Sequence, residues 1–402
     1  MLSPYRHVLA VPGAKRLFAS ALMARMPQGM SGLAVLLLVR GATHSYALAG
    51  LAVGAESLTV AASAPVLGRA IDRRGRLWVF SRCIVAYALT NALLVLAATA
   101  GAPGAVLVVL AGCVGAALPP VAPAARALLR DVFTDVSVRE SAYALESVAQ
   151  ELVWITGPLV VAVVVAFFPP TVAVLLVGAV GAIGTSVFIR VPFVREHTRQ
   201  DDDAPRGRAL ASRPLRLLLL PVALTGVGLG STEVGLPALA LHVGSRSAAG
   251  LLLALWSLGS LLGGLWYGTR AWRISLPARY RVLLLAAVAC TAPLIVAHSL
   301  IAGVVCSLLA GLAIAPVFSC QYALVGQAVI PGTETEAFTW VSAALVAGLS
   351  AGSAAGGALV SAAGISAPFV FACGAALLAA GGGRAVRFSR APVTQPAAAS
   401  LE

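Results

Sequence analysis

Five ionisable side chains stand deep inside long apolar runs of this 402-residue chain: Arg25, Glu56, Glu146, Glu151 and Glu233. An ionised group at the centre of a membrane-spanning helix costs about 2.5–3.5 kcal/mol on insertion scales. It is retained where it faces water, a partner or a moving ion, so each of the five is a functional candidate. The chemistry they offer is proton exchange, because burial disfavours the charged form of a carboxylate and a nearby arginine restores it. Glu151, Glu56, Glu233 and Glu146 are the proton-coupling candidates, with Glu151 first and Arg25 as its expected competing partner. A permanent Arg25–glutamate salt bridge that only locks the helices is the rival reading. Glu146 and Gln150 lie four residues apart, as do Ser147 and Glu151, which gives one helix two polar faces.

The run holding Arg25 continues as Met26-Pro27-Gln28-Gly29, and the run holding Glu233 contains Gly226, Gly228, Gly230, Thr232, Gly235 and Pro237. Paired Gly/Pro breaks in two halves of a chain point to a transporter binding site, where unwound backbone lines a cavity. Small residues that let helices pack closely produce the same pattern. The substrate-cavity candidates are Arg25, Gln28, Thr232, Gln150, Trp154 and Tyr322.

These residues need spanning helices to position them. The chain is 59% hydrophobic and 11% charged, with a mean hydropathy of +0.94, whereas about a quarter of an ordinary soluble domain is charged. The apolar residues fall into runs of about 20, the length that crosses a hydrocarbon core of about 30 Å. Twelve spans are expected: 17–38, 46–67, 77–98, 105–125, 142–168 and 171–189, then 217–241, 248–267, 282–297, 300–325, 337–362 and 368–380. The expected fold is an all-α membrane protein, twelve transmembrane helices in two pseudo-symmetric six-helix bundles. The bundles cover 1–190 and 215–390, with a solvated linker at 191–214 and a disordered tail at 391–402. No cleavable leader is evident in the polar, basic first sixteen residues.

Arginine placement orients the spans. Arg69, Arg73, Arg74 and Arg76, then Arg126, Arg130 and Arg139, the linker arginines, Arg270, Arg273, Arg279 and Arg281, and Arg384, Arg387 and Arg390 fall on one side. Only Arg40 and Arg246 fall in the opposite loops, so both termini are expected in the cytoplasm. The net charge of +13 thus reports topology, and no nucleic-acid partner is implied. With Lys15 the sole lysine, there is no phosphate-binding Gly-Lys-Ser/Thr loop. The six cysteines have no ligand spacing, the five histidines no helical pairing, and no hydrolase-type catalytic set stands out. Neither a metal site nor an enzyme is expected.

The halves repeat. A shift of 196 residues lays Gly115 on Gly311, Pro120-Val121 on Pro316-Val317, Gly68 on Gly264, and Arg74 on Arg270. It also lays Ser137-x-x-Glu140 on Thr333-x-x-Glu336, both of capping-box type.

Between spans two and three stands Gly68-Arg69-Ala70-Ile71-Asp72-Arg73-Arg74-Gly75-Arg76. This loop, twelve spans in two repeats and a long central connector together resemble the major facilitator superfamily, over essentially the whole chain. The resemblance implies a secondary transporter working by alternating access, with spans three, six, nine and twelve facing lipid. It also implies a cytoplasmic gate of Gly68, Asp72, Arg73, Gly75, Arg76, Glu334 and Glu336. There Asp72 would dock on the N-terminus of span eleven, while Arg73 or Arg76 meets Glu334 or Glu336. Gly157-Pro158 in span five is similar to the end of a drug–proton antiporter pattern, although Val153, Val161 and Ala162 stand where that pattern wants glycine. The expected function is proton-coupled export of small organic molecules, driven by the proton gradient with no other cofactor. The alternative is proton-coupled uptake of a small, possibly anionic solute. The expected partners are a small-molecule substrate, protons and the lipid bilayer of the cell membrane, for a chain working as a monomer.

Overall fold

The computed structural model describes residues 3–196, 207–243, 248–270 and 272–382, and no strand occurs among them. The first half comprises α1 (Ser3–Ala10), α2 (Ala14–Thr43), α3 (Tyr46–Arg74), α4 (Arg76–Thr99), α5 (Gly104–Ala117), α6 (Val121–Val132), α7 (Val136–Phe167) and α8 (Pro170–Phe188). After α9 (Pro192–Glu196) come α10 (Arg213–His242), α11 (Ala248–Tyr267), α12 (Leu276–Thr291), α13 (Leu300–Gly311), α14 (Ile314–Ala328), α15 (Glu334–Ala363) and α16 (Ala367–Gly382). Among the described residues, eleven segments are long and apolar enough to cross a membrane. The equally apolar α16 has 16 residues. The protein is an all-α membrane protein. The aspartates 201–203, Arg199, Arg206, Arg246, Arg384, Arg387, Arg390 and the tail 391–402 lie outside the described residues.

Two of the expected breaks are elsewhere. The helices α2 and α10 run unbroken through Pro27 and through Pro221 and Pro237. The interrupted spans are the fourth, split at Pro119–Pro120 between α5 and α6, and the tenth, split at Leu312–Ala313 between α13 and α14. Proline lacks an N–H and fixes φ, so it starts a helical segment more readily than it continues one. Pro120 immediately precedes α6, and its repeat counterpart Pro316 lies in the first turn of α14.

The glycines of span seven serve packing instead. Added Cβ atoms at Gly226 and Gly230 would collide with the carbonyl oxygens of Leu345 and Leu349 on α15, and those at Gly348 and Gly352 with the carbonyls of Ala223 and Val227 on α10. Two Gly-x-x-x-Gly faces interlock, so backbone meets backbone where lipid supplies no hydrophobic drive between helices. Gly29 on α2 and Gly157 on α7 make the same approach within the first half. The glycine of the Gly157-Pro158 pair is therefore a packing residue here.

The capping boxes also differ from expectation. Asp135, not Ser137, caps α7, accepting from the backbone N–H groups of Val138 (3.0 Å) and Ser137 (2.8 Å). Those donors hold its carboxyl below the usual carboxylate range. Thr333 makes no side-chain cap to α15; its hydroxyl donates to the Ile330 carbonyl. At the two ends of the linker, Val194 and Ala209 are fully buried. Ser212 both caps α10 and donates to the Ala328 carbonyl at 2.6 Å.

The two groups of helices meet along α3–α15, α6–α15, α7–α14 and α7–α11. The contacting residues cluster at the arginine-rich ends of these helices. Tyr143 packs against Tyr322 and Phe338, Ser147 lies 2.6 Å from Ser319, and the Tyr5 hydroxyl sits 3.0 Å from the Gly264 carbonyl. The halves are thus closed at the arginine-rich end.

Candidate functional site

Three arrangements of polar side chains occupy the seam and its surroundings. At the arginine-rich end, Asp72 in the last turn of α3 accepts hydrogen bonds from the backbone N–H groups of Thr335 (3.1 Å) and Glu336 (2.7 Å). These are two of the orphan donors at the start of α15, so the carboxylate caps a helix of the other half. Glycines make the approach possible. A Cβ on Gly68 would lie 2.6 Å from Thr339 Oγ1 and 2.8 Å from its Cγ2. Gly75, at φ +85°, lets the chain turn between α3 and α4 where an L side chain would be strained.

The ion pairs across this closure are not the expected ones. Arg69 pairs with Glu336 at 3.3 Å and Arg130 with Glu334 at 3.3 Å. Arg76 pairs with Asp131 at 3.9 Å in its own half, and Arg73 is exposed. Residues 72 and 73 are consecutive and project about 100° apart on the helix, so the rotation that brings Asp72 to α15 leaves Arg73 exposed. On the repeat-related side, Arg279 makes a two-pronged contact with Glu140, at 2.6 and 3.1 Å.

Deeper in the bundle, Arg25 on α2 pairs with Glu146 on α7, not with Glu151. Arg126 on α6 shares that carboxylate, its Nε 3.2 Å from Glu146 Oε1, and donates to Gln150 Oε1 at 3.1 Å. Its guanidinium lies 4.1 Å from the Tyr322 ring centroid on α14, and its Nη1 reaches Ser342 on α15 at 3.5 Å. Two guanidinium groups thus face one carboxylate in a buried cluster, leaving a formal excess of one positive charge. Arg25 Nη2 has no hydrogen-bond partner. The other polar face of α7 turns to the second half: Ser147 meets Ser319 on α14, and Glu151 lies beside Ser260 on α11. Glu151 is buried and makes no salt bridge among the described residues.

Glu56 does not face the seam. It is buried within the first half and hydrogen-bonded to Ser31 on α2. In the second half, Glu233 is exposed beside buried Thr232, whose hydroxyl donates to its own helix at Gly228. Thr232 lines a cavity with Thr225, Trp256, Thr291, Val317 and Phe318. Gln28 is half-buried one turn from Arg25, and Trp154 is exposed one turn beyond Gln150.

Residues 17–240 match the sequence pattern of the Major Facilitator Superfamily, which is more than half of the chain. The chain belongs to the major facilitator superfamily. Its overall structure is similar to three solved transporters. The human organic anion transporter MFSD10 (TETRAN) is 18% identical over 92% of this chain and 99% of its own, with a TM-score of 0.71. A bacterial homologue of the iron transporter ferroportin in an outward-facing state is 13% identical over 92% and 98%, with a TM-score of 0.74. The transporter FucP in its outward conformation is 16% identical over 94% and 99%, with a TM-score of 0.65. At such identities the likeness is one of fold. Sequence comparison with curated proteins gives no match.

As a superfamily member the chain is a transporter and not an enzyme. Sequence reasoning missed Arg126, which looked like one more loop arginine marking topology. The available signal was its setting: it is the sole charge in the stretch Val121–Leu129, all nine residues of which are buried.

Proposed function

We propose that this superfamily member is a proton-coupled transporter that exports small organic molecules by alternating access. The observation that carries the reading is Glu151, a carboxylate buried at the seam between the halves with no cationic partner among the described residues. Arg25 and Arg126, the guanidinium groups nearest in the sequence pattern, are committed to Glu146. An unpaired carboxylate is disfavoured in its charged form when shut away from water and favoured when wet. Rocking of the halves about the seam would therefore change its affinity for a proton without any further device. The cavity beside Thr225 and Thr232, mostly apolar with a few hydroxyls, suits an organic solute. With the arginine-rich end placed in the cytoplasm by the positive-inside rule, the closure described above is that of an outward-open state.

Liposomes containing the purified chain and a trapped pH indicator test this under an imposed pH gradient of either sign, against a panel of small organic solutes. Solute movement should run opposite to proton movement, and Glu151→Gln should abolish the dependence on the gradient. Gradient-driven accumulation that survives in Glu151→Gln refutes the assignment. The excess positive charge at Arg25, Arg126 and Glu146 favours a second reading, uptake of an organic anion together with protons. In the same assay that reading requires solute and protons to move in one direction.

A further inference from the structure

Arg82 is a charge that neither the loops nor the transport site absorb. It lies in the second turn of α4, inside a membrane span, and it is exposed. Val85, Leu89, Leu93 and Leu96 continue its stripe along α4 at helical spacing, and all four are exposed, as on a helix that faces lipid. The arginine turns back toward the start of the helix. Its Nη1 donates to the Trp78 carbonyl at 3.2 Å, and its guanidinium lies 3.5 Å from the centroid of the exposed Trp78 ring. Arg74, the last residue of α3, reaches the same ring from across the Gly75 turn, at 4.6 Å. An indole with arginines beside it at the end of a lipid-facing stripe stands at headgroup level.

Neither arginine makes a salt bridge among the described residues. The acids of this region are engaged: Asp72 caps α15 and Asp131 pairs with Arg76. Two guanidinium groups gathered on one ring repel each other, more strongly beside hydrocarbon than in water. The indole face offsets part of that repulsion. A phosphate offsets more, because it takes guanidinium N–H donors in pairs and brings a negative charge. A zwitterionic lipid would bring its own cation to a face that holds two already and offers no free acid. The repeat counterpart carries the same device. Arg270, which the 196-residue shift pairs with Arg74, stands 5.2 Å from the centroid of the exposed Trp266 ring, and Trp272 packs edge-on against that ring.

We propose that Arg74, Trp78 and Arg82 form a binding site for the headgroup of an anionic phospholipid, in the leaflet at the arginine-rich end. The two guanidinium groups hold the phosphate, and an acyl chain follows the stripe of Val85, Leu89 and Leu93. Arg74 is two residues from Asp72, so the lipid sits beside the closure. The site does not depend on the transport reading.

The test places the full chain in phosphatidylcholine vesicles containing phosphatidylglycerol brominated near the headgroup end of its acyl chains, which quenches tryptophan fluorescence on contact. Each protein is compared with the same protein carrying Trp78→Phe, so the difference reports the lipid beside residue 78. Brominated phosphatidylglycerol should quench that signal at a lower mole fraction than brominated phosphatidylcholine does. Arg82→Gln and Arg74→Gln should each reduce the preference about fivefold, as loss of one arginine beside an anionic lipid does. Both positions are exposed, and either variant decides the matter if the other does not fold. Arg216→Gln, which removes an exposed charge on α10 at the same end, should leave the preference unchanged. Equal quenching by the two lipids, or a preference that survives in the arginine variants, overturns the proposal. An equal loss in Arg216→Gln overturns it in favour of diffuse attraction to the whole face. Brominated phosphatidylethanolamine that quenches as well as phosphatidylglycerol overturns the choice of an anionic head.

Discussion

Asp72→Asn probes the closure at the arginine-rich end. The carboxylate receives two backbone N–H groups of α15, at 3.1 and 2.7 Å. A hydrogen bond to a charged acceptor contributes about 1.5–3 kcal/mol, and a negative charge at a helix N-terminus adds about 0.3–1 kcal/mol. Asparagine keeps one acceptor oxygen and loses the charge, so one such bond and the dipole interaction are forfeited. The closed state should lose about 1.8–4 kcal/mol relative to the open one, a shift of about twentyfold to several hundredfold in the conformer ratio. Spin labels at Arg73→Cys and Pro331→Cys, both exposed at this end on opposite halves, report it by pulsed distance measurement in a background with the native cysteines replaced. The Asp72→Asn protein should populate a longer distance that the parent lacks. If a well-folded Asp72→Asn gives the parent distribution, the cap does not hold the halves together and the reasoning fails.

Two further outcomes follow from packing and charge. Gly230→Leu should lower the unfolding midpoint in detergent sharply, because its side chain would enter the α15 backbone at Leu349; overpacking of this kind costs about 1–3 kcal/mol or more. Gly250→Ala, which meets nothing within 4 Å, should leave the midpoint unchanged, and equal effects of the two would contradict the interlocked-helix account. Glu146→Gln should be more damaging than either, costing about 3–5 kcal/mol, since it strands two buried guanidinium groups without their shared anion. Adding Arg25→Met to Glu146→Gln should recover part of that loss, and no recovery would count against the shared-carboxylate cluster.

What the amino-acid sequence determined by itself was the class and the punctuation. Apolar runs of membrane length leave helices as the available spanning structure, since lipid offers backbone groups no partner, and the arginines mark one side. The motif around Asp72 was legible through its resemblance to the superfamily loop, and an acid among arginines needs a donor elsewhere. That Gly75 takes a positive φ and that Gly68 leaves room for Thr339 is decided by the fold. The partners were not legible. Whether Arg25 meets Glu146 or Glu151 depends on how α2 is rotated against α7, and those two glutamates, five residues apart, project in different directions on one helix. Which arginines reach Glu334 and Glu336 likewise depends on the face of α3 turned to α15 and on where α6 ends. The glycines of α10 could have signified unwound backbone or close packing, and only the position of α15 against them made them packing residues. Periodicity fixes what a helix can present; the other helices decide what it meets.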